Sequence, residues 1–359
     1  MDFRTSEFLK PANSLDKAER NHGLDILRGL AAFGIVVYHY LYMAHGITVE
    51  SLGTFGVYLF FMLSGLTMML VYGLTFSSAI SLQDALRFYR NRIARILPLL
   101  SAMAVINFAL TLLSQPSIRL IGGTAIDSFL TGSGLFALQL PGYLSNVTGA
   151  WSLGIEIAFY AVFPVICLLV NNARLRTLLI AVATLIVAQQ SVLLLLQRMA
   201  TEDPTRFWHY YTTPLMFAPF FAVGIVVYRS QRSVSKIYIP AALALAGLIA
   251  TYSVFTRSKP LQSNADYLVL TALSAAALLC FWRMTVPRIL AGPASFLGNV
   301  SYALYLTHPL VFTVCQKLSA YLGLSSYSAA VLFFASALAI AQMTFLLFER
   351  RMRSLLRGY

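Results

Sequence analysis

Apolar runs of about twenty residues recur from one end of this chain to the other, and each is long enough, as a helix, to cross a bilayer core of about 30 Å. Ten stand out, at 24–44, 54–74, 96–114, 150–170, 177–197, 211–228, 237–256, 265–282, 297–316 and 326–348. Between them there is too little charge for a soluble fold. Only 11% of the 359 residues are charged, against about 25% in an ordinary soluble domain. A soluble enzyme, a disordered protein and a disulfide-stapled secreted domain are therefore excluded. Cys167, Cys280 and Cys315 all fall inside apolar runs with no paired spacing, so they read as core residues. Residues 1–23 are polar and lead straight into the first run, which does not fit a cleavable signal peptide.

The net charge of +13 could suggest nucleic acid, but the basic residues sit between the apolar runs, where they report topology. With the N-terminus in the cytoplasm, the inside set is Arg4, Lys10, Lys17, Arg20, Arg28, Arg87, Arg90, Arg92, Arg95, Arg174, Arg176, Arg229, Arg232, Lys236, Arg283, Arg288, Arg350, Arg351, Arg353 and Arg357. The outside set is Arg119, Arg198, Arg206, Arg257, Lys259 and Lys317. An eleventh span at 125–144 would invert everything downstream and destroy this bias, so that segment, with Asp127, several glycines and Pro141, is expected to be a long loop, with a re-entrant form as the alternative. The expected fold is an all-α polytopic bundle of ten helices with both termini cytoplasmic. It comprises an N-terminal tail (1–22), one membrane unit (23–350) and a basic tail (351–359). No repeat of 20–50 residues and no inverted repeat is visible.

Ionisable groups within the apolar runs are candidate functional residues, because each is costly in hydrocarbon. Arg28 and His39 share the first run, LDILRGLAAFGIVVYHY. At about 100° per residue, eleven residues bring both to one helix face, roughly 16 Å apart. Asp25 stands three residues before Arg28 and can pair with it. In RNRIARILP, Arg92 and Arg95 are also neighbours on one face, and guanidinium forks suit phosphate, although a positive-inside anchor would also explain them. Glu156 lies about two turns into TGAWSLGIEIAFYAVFP, below Trp151 and Ser152. It is placed either to orient His39 or to make a structural pair with an arginine. Ser301, Tyr305 and His308 form an i, i+4, i+7 stripe in LGNVSYALYLTHP, where His308 could instead bond a carbonyl freed by Pro309. Glu349 lies among arginines at the end of the last run, as an interfacial ion pair would. No phosphate-binding loop, nucleotide fingerprint, metal-ligand cluster or nucleophile elbow is present.

Taken in order, these motifs resemble those of acyltransferase family 3, a family of integral-membrane enzymes. The resemblance runs from about 22 to 350. It rests on Arg28-x10-His39 in LDILRGLAA, on GVYLFFMLSG (56–65), on Arg92-x-x-Arg95 before Pro98, on WSLGIEIAFYAVFP and on SYALYLTHP. The chain has Glu349-Arg350-Arg351 where the family usually has Glu-Arg-Pro. The resemblance implies a stand-alone enzyme moving an acyl group, with acetyl expected, from cytoplasmic acyl-CoA to a hydroxyl on a surface or exported glycan, with no permanently bound cofactor or metal. His39 would be the catalytic histidine with Glu156 as its orienting partner, and Arg28, Arg92 and Arg95 would hold the donor. Asp25, Trp151, Ser152, Ser301, Tyr305, His308 and Glu349 would support them. The separation of Arg28 from His39 suits a pantetheine arm. The partners implied are acyl-CoA, a hydroxyl-bearing acceptor and the bilayer of a bacterial inner membrane, and not nucleic acid. A transporter or flippase for a lipid-linked sugar is the competing class, and it would relocate its substrate without changing its mass.

Overall fold

In the computed structural model, residues 20–114, 118–139, 141–200, 203–230, 238–257 and 264–356 are described. Arg4, Lys10 and Lys17 of the expected tail, and Arg232, Lys236, Lys259 and Arg357, lie outside the described residues, as do the side chains of Arg198 and Arg206.

The described residues contain ten helices long and apolar enough to cross a membrane, matching the ten runs. These are α1 (His22–His45), α2 (Glu50–Tyr72), α3 (Leu82–Ser114), α6 (Ala150–Asn172), α7 (Leu175–Ala200), α9 (Pro214–Arg229), α10 (Tyr238–Phe255), α11 (Asn264–Arg283), α12 (Ala291–Tyr321) and α13 (Ser326–Thr344). The sixth span begins within a short separate helix, α8 (Pro204–Tyr211). The break falls where Pro214, which has no N–H to continue a ladder, opens α9. A π-helical turn, Phe345–Glu349, and a final helix, α14 (Arg350–Leu356), extend α13. The protein is thus a multi-pass integral-membrane helical bundle.

The segment expected to be a loop is largely helical. α4 (Ile118–Ser133) packs along α3 and is followed by a 3-10 turn (Leu135–Leu138) and α5 (Pro141–Leu144). Its glycines and hydroxyls lower its hydropathy but allow close polar packing. Ser101 donates to the Gly132 carbonyl at 2.6 Å, and Asn146 donates to Ser128 Oγ at 2.6 Å and to the Ala104 carbonyl at 3.3 Å. Asn107 in turn donates to the Asn146 carbonyl at 2.8 Å. Sixteen residues give α4 a length of about 24 Å, short of a full crossing, so the count of ten spans stands. Partial burial pushes the Asp127 carboxyl on this helix above its ordinary value.

Each strongly polar helix end meets others of its own level. At the end that carries Arg174, Arg229 and Arg283, Asn21 donates to the Trp282 carbonyl (3.3 Å), and Arg229 donates to the Ala173 carbonyl (3.3 Å). This is the basic end. At the opposite end Ser51 meets Thr256 at 2.8 Å. The centre is built on α2, which packs against α1, α9 and α11, while α1 packs most extensively on α12. α2 and α9 approach closely through facing glycines. A Cβ on Gly65 would stand 2.1 Å from the Phe221 carbonyl oxygen, and one on Gly224 would stand 2.0 Å from that of Met62. Contact this close is how helices associate where hydrocarbon surrounds them. α7, α10 and α13 expose apolar side chains such as Ile180, Val187, Leu243, Val254, Val331 and Ile340, a surface suited to lipid tails.

Candidate active site

Three arginines from two helices converge on a narrow cavity of about 80 Å³ toward the basic end. Arg28 of α1 and Arg92 and Arg95 of α3 line it, with Ser64, Ser152, Glu156, Tyr160, Ser301 and Tyr305. The cluster of four arginines on α3 thus divides. Arg92 and Arg95 face inward, while Arg87 and Arg90 are exposed and Arg90 Nε donates to the Leu356 carbonyl of α14 at 2.6 Å. Arg92 stands 5.1 Å and 5.7 Å from the ring centroids of Tyr72 and Tyr160, and donates to the Tyr72 hydroxyl at 3.3 Å. Its Nε is buried with no hydrogen-bond partner. Among the described residues no salt bridge engages Arg95. Half-buried cations clustered in this way favour an anion, and guanidinium forks match phosphate oxygens.

Asp25 is shared more widely than its spacing implied. Arg20 hydrogen-bonds it directly, and Arg28 approaches it at 3.7 Å. Arg20 also donates to the Ser295 carbonyl (3.2 Å) and Asn299 Oδ1 (2.9 Å), fastening the start of α1 to α12. Glu156 is not the neighbour of His39. It accepts hydrogen bonds from Ser64 Oγ (2.8 Å) and from the Tyr160 hydroxyl, and faces the arginine-lined cavity. Both donors meet its Oε1 and neither comes from His39, whose ring is paired elsewhere, so the expected contact of Glu156 with His39 is corrected.

The residue beside His39 is His308. His39 Nδ1 lies 2.7 Å from His308 Nε2, and the rings are stacked 4.9 Å apart at 16°. His308 Nδ1 lies 3.1 Å from the Leu304 carbonyl. A carbonyl can only accept, so Nδ1 of His308 carries the proton and Nε2 offers its lone pair. His39 Nδ1 must then be the donor. This leaves His39 Nε2 as a lone pair in a second cavity, a state set by geometry rather than by a carboxylate. The ring also meets the backbone of Tyr305, whose carbonyl Pro309 frees, so His308 both relieves the kink and backs His39.

This second cavity, about 810 Å³, opens toward the opposite end. His39, Tyr38, Trp151, Trp208, Tyr211, Tyr267 and Tyr305 line it, with Glu50, Asn146 and Thr148. Trp151 and Trp208 meet edge to face at 5.3 Å. Among the described residues no lysine or arginine lines it. Val57 and Tyr305 line both cavities, so the two meet there. Beside that seam, Ser152 Oγ and the Tyr305 hydroxyl lie 2.9 Å apart, and each reaches the Gly149 carbonyl.

The i, i+4, i+7 stripe on α12 is therefore one functional wall. Ser301 faces the narrow cavity and donates to the Gly298 carbonyl (3.0 Å), Tyr305 sits at the seam, and His308 backs His39. Glu349 lies apart from both cavities. It is buried, its partner is Arg353, and its Oε1 has no hydrogen-bond partner. The ion pair expected there is formed, running from the end of the π-turn into α14, the helix in which Arg351 stands where the family usually has proline. Sequence reasoning missed the pairing of His39 with His308 and the roles of Ser64, Tyr160 and Trp208. Each depends on which helices become neighbours, which periodicity does not encode.

Comparison with known proteins shows the family. A family model described as an acyltransferase domain, that of acyltransferase family 3, matches residues 21–346. The putative peptidoglycan O-acetyltransferase YrhL of Bacillus subtilis (strain 168) is 26% identical over 320 residues, 80% of this chain and 48% of its own. O-acetyltransferase OatA of Staphylococcus aureus (strain NCTC 8325 / PS 47) is 28% identical over 169 residues, 44% of this chain and 26% of its own. The chain thus spans half or less of the length of these relatives. No solved structure matches. The family match covers nearly all of the membrane bundle and every residue that lines the two cavities, and on that ground the protein belongs to acyltransferase family 3.

Proposed function

We propose that the protein is an O-acetyltransferase of a bacterial inner membrane, moving an acetyl group from cytoplasmic acetyl-CoA to a hydroxyl of a cell-envelope glycan. The observation that carries this is the His39–His308 pair, which holds an imidazole lone pair in the wide cavity that adjoins an arginine-lined one. The phosphates of CoA are received by Arg28, Arg92 and Arg95, and the slender pantetheine arm takes the narrow cavity toward the seam. The acceptor enters the wide cavity from the other side of the membrane. His39 Nε2 removes the hydroxyl proton as the oxygen attacks the thioester carbonyl, and returns that proton to the departing CoA thiolate. His308 is a positioning residue, and Glu156 holds Tyr160 and Ser64 in the donor cavity wall.

The lining of the wide cavity favours sugar over phosphate. Its aromatic faces suit pyranose rings, and its amide and hydroxyl groups suit sugar hydroxyls. Peptidoglycan is the first acceptor to try, because the relatives are named for O-acetylation and one of them for peptidoglycan. Purified protein is to be tested for saturable acetyl-CoA binding, then for acetyl transfer to soluble peptidoglycan strands and to a neutral N-acetylglucosamine oligosaccharide, read by mass. Binding lost in Arg95→Ala together with an acetyl mass increment supports the proposal. A folded protein that binds no acetyl-CoA refutes it and puts a transporter first.

A further inference from the structure

Any attack on a thioester drives negative charge onto its carbonyl oxygen, and a site that accelerates the reaction needs a hydrogen-bond donor aimed at that oxygen. The donor must stand where the two substrates meet. Tyr305 meets that condition. Among the described residues it is the one polar side chain lining both cavities, it lies within the bundle at 6% exposure, and on α12 it precedes His308 by three residues, with the two rings 6.4 Å apart.

The hydrogen bonds around it are redundant in a telling way. The Gly149 carbonyl is within reach of two hydroxyls, Tyr305 at 2.8 Å and Ser152 at 3.0 Å, which are themselves 2.9 Å apart. A hydroxyl has one proton to donate. Ser152 alone satisfies the carbonyl, and the tyrosine proton can then turn away without leaving a buried acceptor bare. Gly149 permits this closeness. Its φ is +81°, and a Cβ there would lie 2.9 Å from the Tyr305 hydroxyl. The backbone at 149 is thus brought against the tyrosine by a residue with no side chain to intervene.

We infer that Tyr305 is a catalytic residue that donates its hydroxyl proton in a hydrogen bond to the thioester oxygen as it becomes an oxyanion, with Ser152 holding the Gly149 carbonyl meanwhile. This rests on the acyl-transfer proposal above. The acceptor oxygen forms its bond to the carbonyl carbon while His39 takes the hydroxyl proton, and the carbonyl π pair moves onto oxygen, where Tyr305 meets it. The oxyanion then reforms the C=O bond, the C–S bond breaks, and the thiolate takes the proton from His39. Tyr305 keeps its own proton throughout.

The test compares wild type, Tyr305→Phe and Ser152→Ala for binding of acetyl-CoA and of trifluoroacetonyl-CoA, whose ketone stands hydrated as a tetrahedral gem-diol and needs no acceptor. Wild type is expected to prefer the tetrahedral analogue. Tyr305→Phe should bind acetyl-CoA as wild type does but lose about 10²-fold of that preference, and where transfer to peptidoglycan strands is measured kcat should fall about 10²–10³-fold with KM for acetyl-CoA unchanged. Ser152→Ala, which leaves the Gly149 carbonyl to Tyr305 and to the longer bond from the backbone N–H of residue 152, should lose part of the same preference. Its unfolding midpoint, like that of Tyr305→Phe, should stay near wild type because one hydroxyl still holds the carbonyl. Wild type binding acetyl-CoA without preferring the analogue, or both variants keeping the full preference, would overturn the role of Tyr305. Wild type that binds neither compound would instead refute the donor site itself.

Discussion

Replacing His308 by Phe tests the tautomer chain that sets up His39. The change removes the acceptor facing His39 Nδ1, at 2.7 Å, and leaves that N–H against an aromatic ring. An unmet buried donor costs about 1–3 kcal/mol, and the ring can escape it by shifting its proton to Nε2, the atom that must remain a lone pair. That cost, borne by the reactive tautomer alone, predicts a fall in kcat of about 5- to 150-fold. KM for acetyl-CoA should not change, because His308 lines neither cavity. His308→Gln supplies the contrast, since its amide oxygen can accept the same proton, and it should retain activity within about tenfold of wild type. The assay is release of CoA thiol from acetyl-CoA in the presence of soluble peptidoglycan strands, with unfolding midpoints recorded for both variants because His308 is 1% exposed. Equal losses in Gln and Phe variants of normal stability would refute the argument, since only packing would then matter. So would a Phe variant with wild-type kcat.

Other positions give separate checks. Arg95→Ala, removing a guanidinium with no salt bridge among the described residues, should weaken acetyl-CoA binding about 10- to 150-fold, with the gap narrowing as salt is raised, measured by calorimetry. Trp208→Ala, which removes half of the Trp151 edge-to-face pair, should raise KM for the glycan by roughly 2- to 12-fold and leave acetyl-CoA affinity alone. Gly224→Ala places a methyl 2.0 Å from the Met62 carbonyl and should destabilise the bundle by about 1–3 kcal/mol, read as a lower unfolding midpoint with no change in the ratio of kcat to KM in the surviving folded protein. Arg353→Ala leaves Glu349 buried without its partner. With Arg353 24% exposed the cost is reduced by solvent to about 1–3 kcal/mol, and Glu349→Gln in the same protein should recover part of it.

What the sequence disclosed and what it withheld divide along a physical line. Helix existence was legible, because hydrocarbon forces every backbone group into an internal ladder and marks each crossing with a long apolar run. Residues sharing one helix were legible too. Arg28 and His39 do reach the two cavities from one face of α1, and Ser301, Tyr305 and His308 do form one wall of α12. α4 was not legible, because its helix is stabilised by Ser101, Asn107 and Asn146 from other segments rather than by its own hydropathy. Nor were the pairings between helices. His39 and His308 are 269 positions apart, and Glu156 and Ser64 are 92 apart. A carboxylate beside a histidine was the natural expectation from chemistry, since both lay at similar depth. The bundle instead gives Glu156 to two hydroxyl donors on the donor side and gives His39 a second imidazole. That exchange has a consequence for catalysis. A carboxylate at Nδ1 would strongly favour the imidazolium, whereas a neutral imidazole whose own Nδ1 is tied to a backbone carbonyl fixes the tautomer without adding charge beside it. Under the proposed function, His39 thereby acts as a neutral base on the wall of the wide cavity, with Arg28 some three turns away on the same helix.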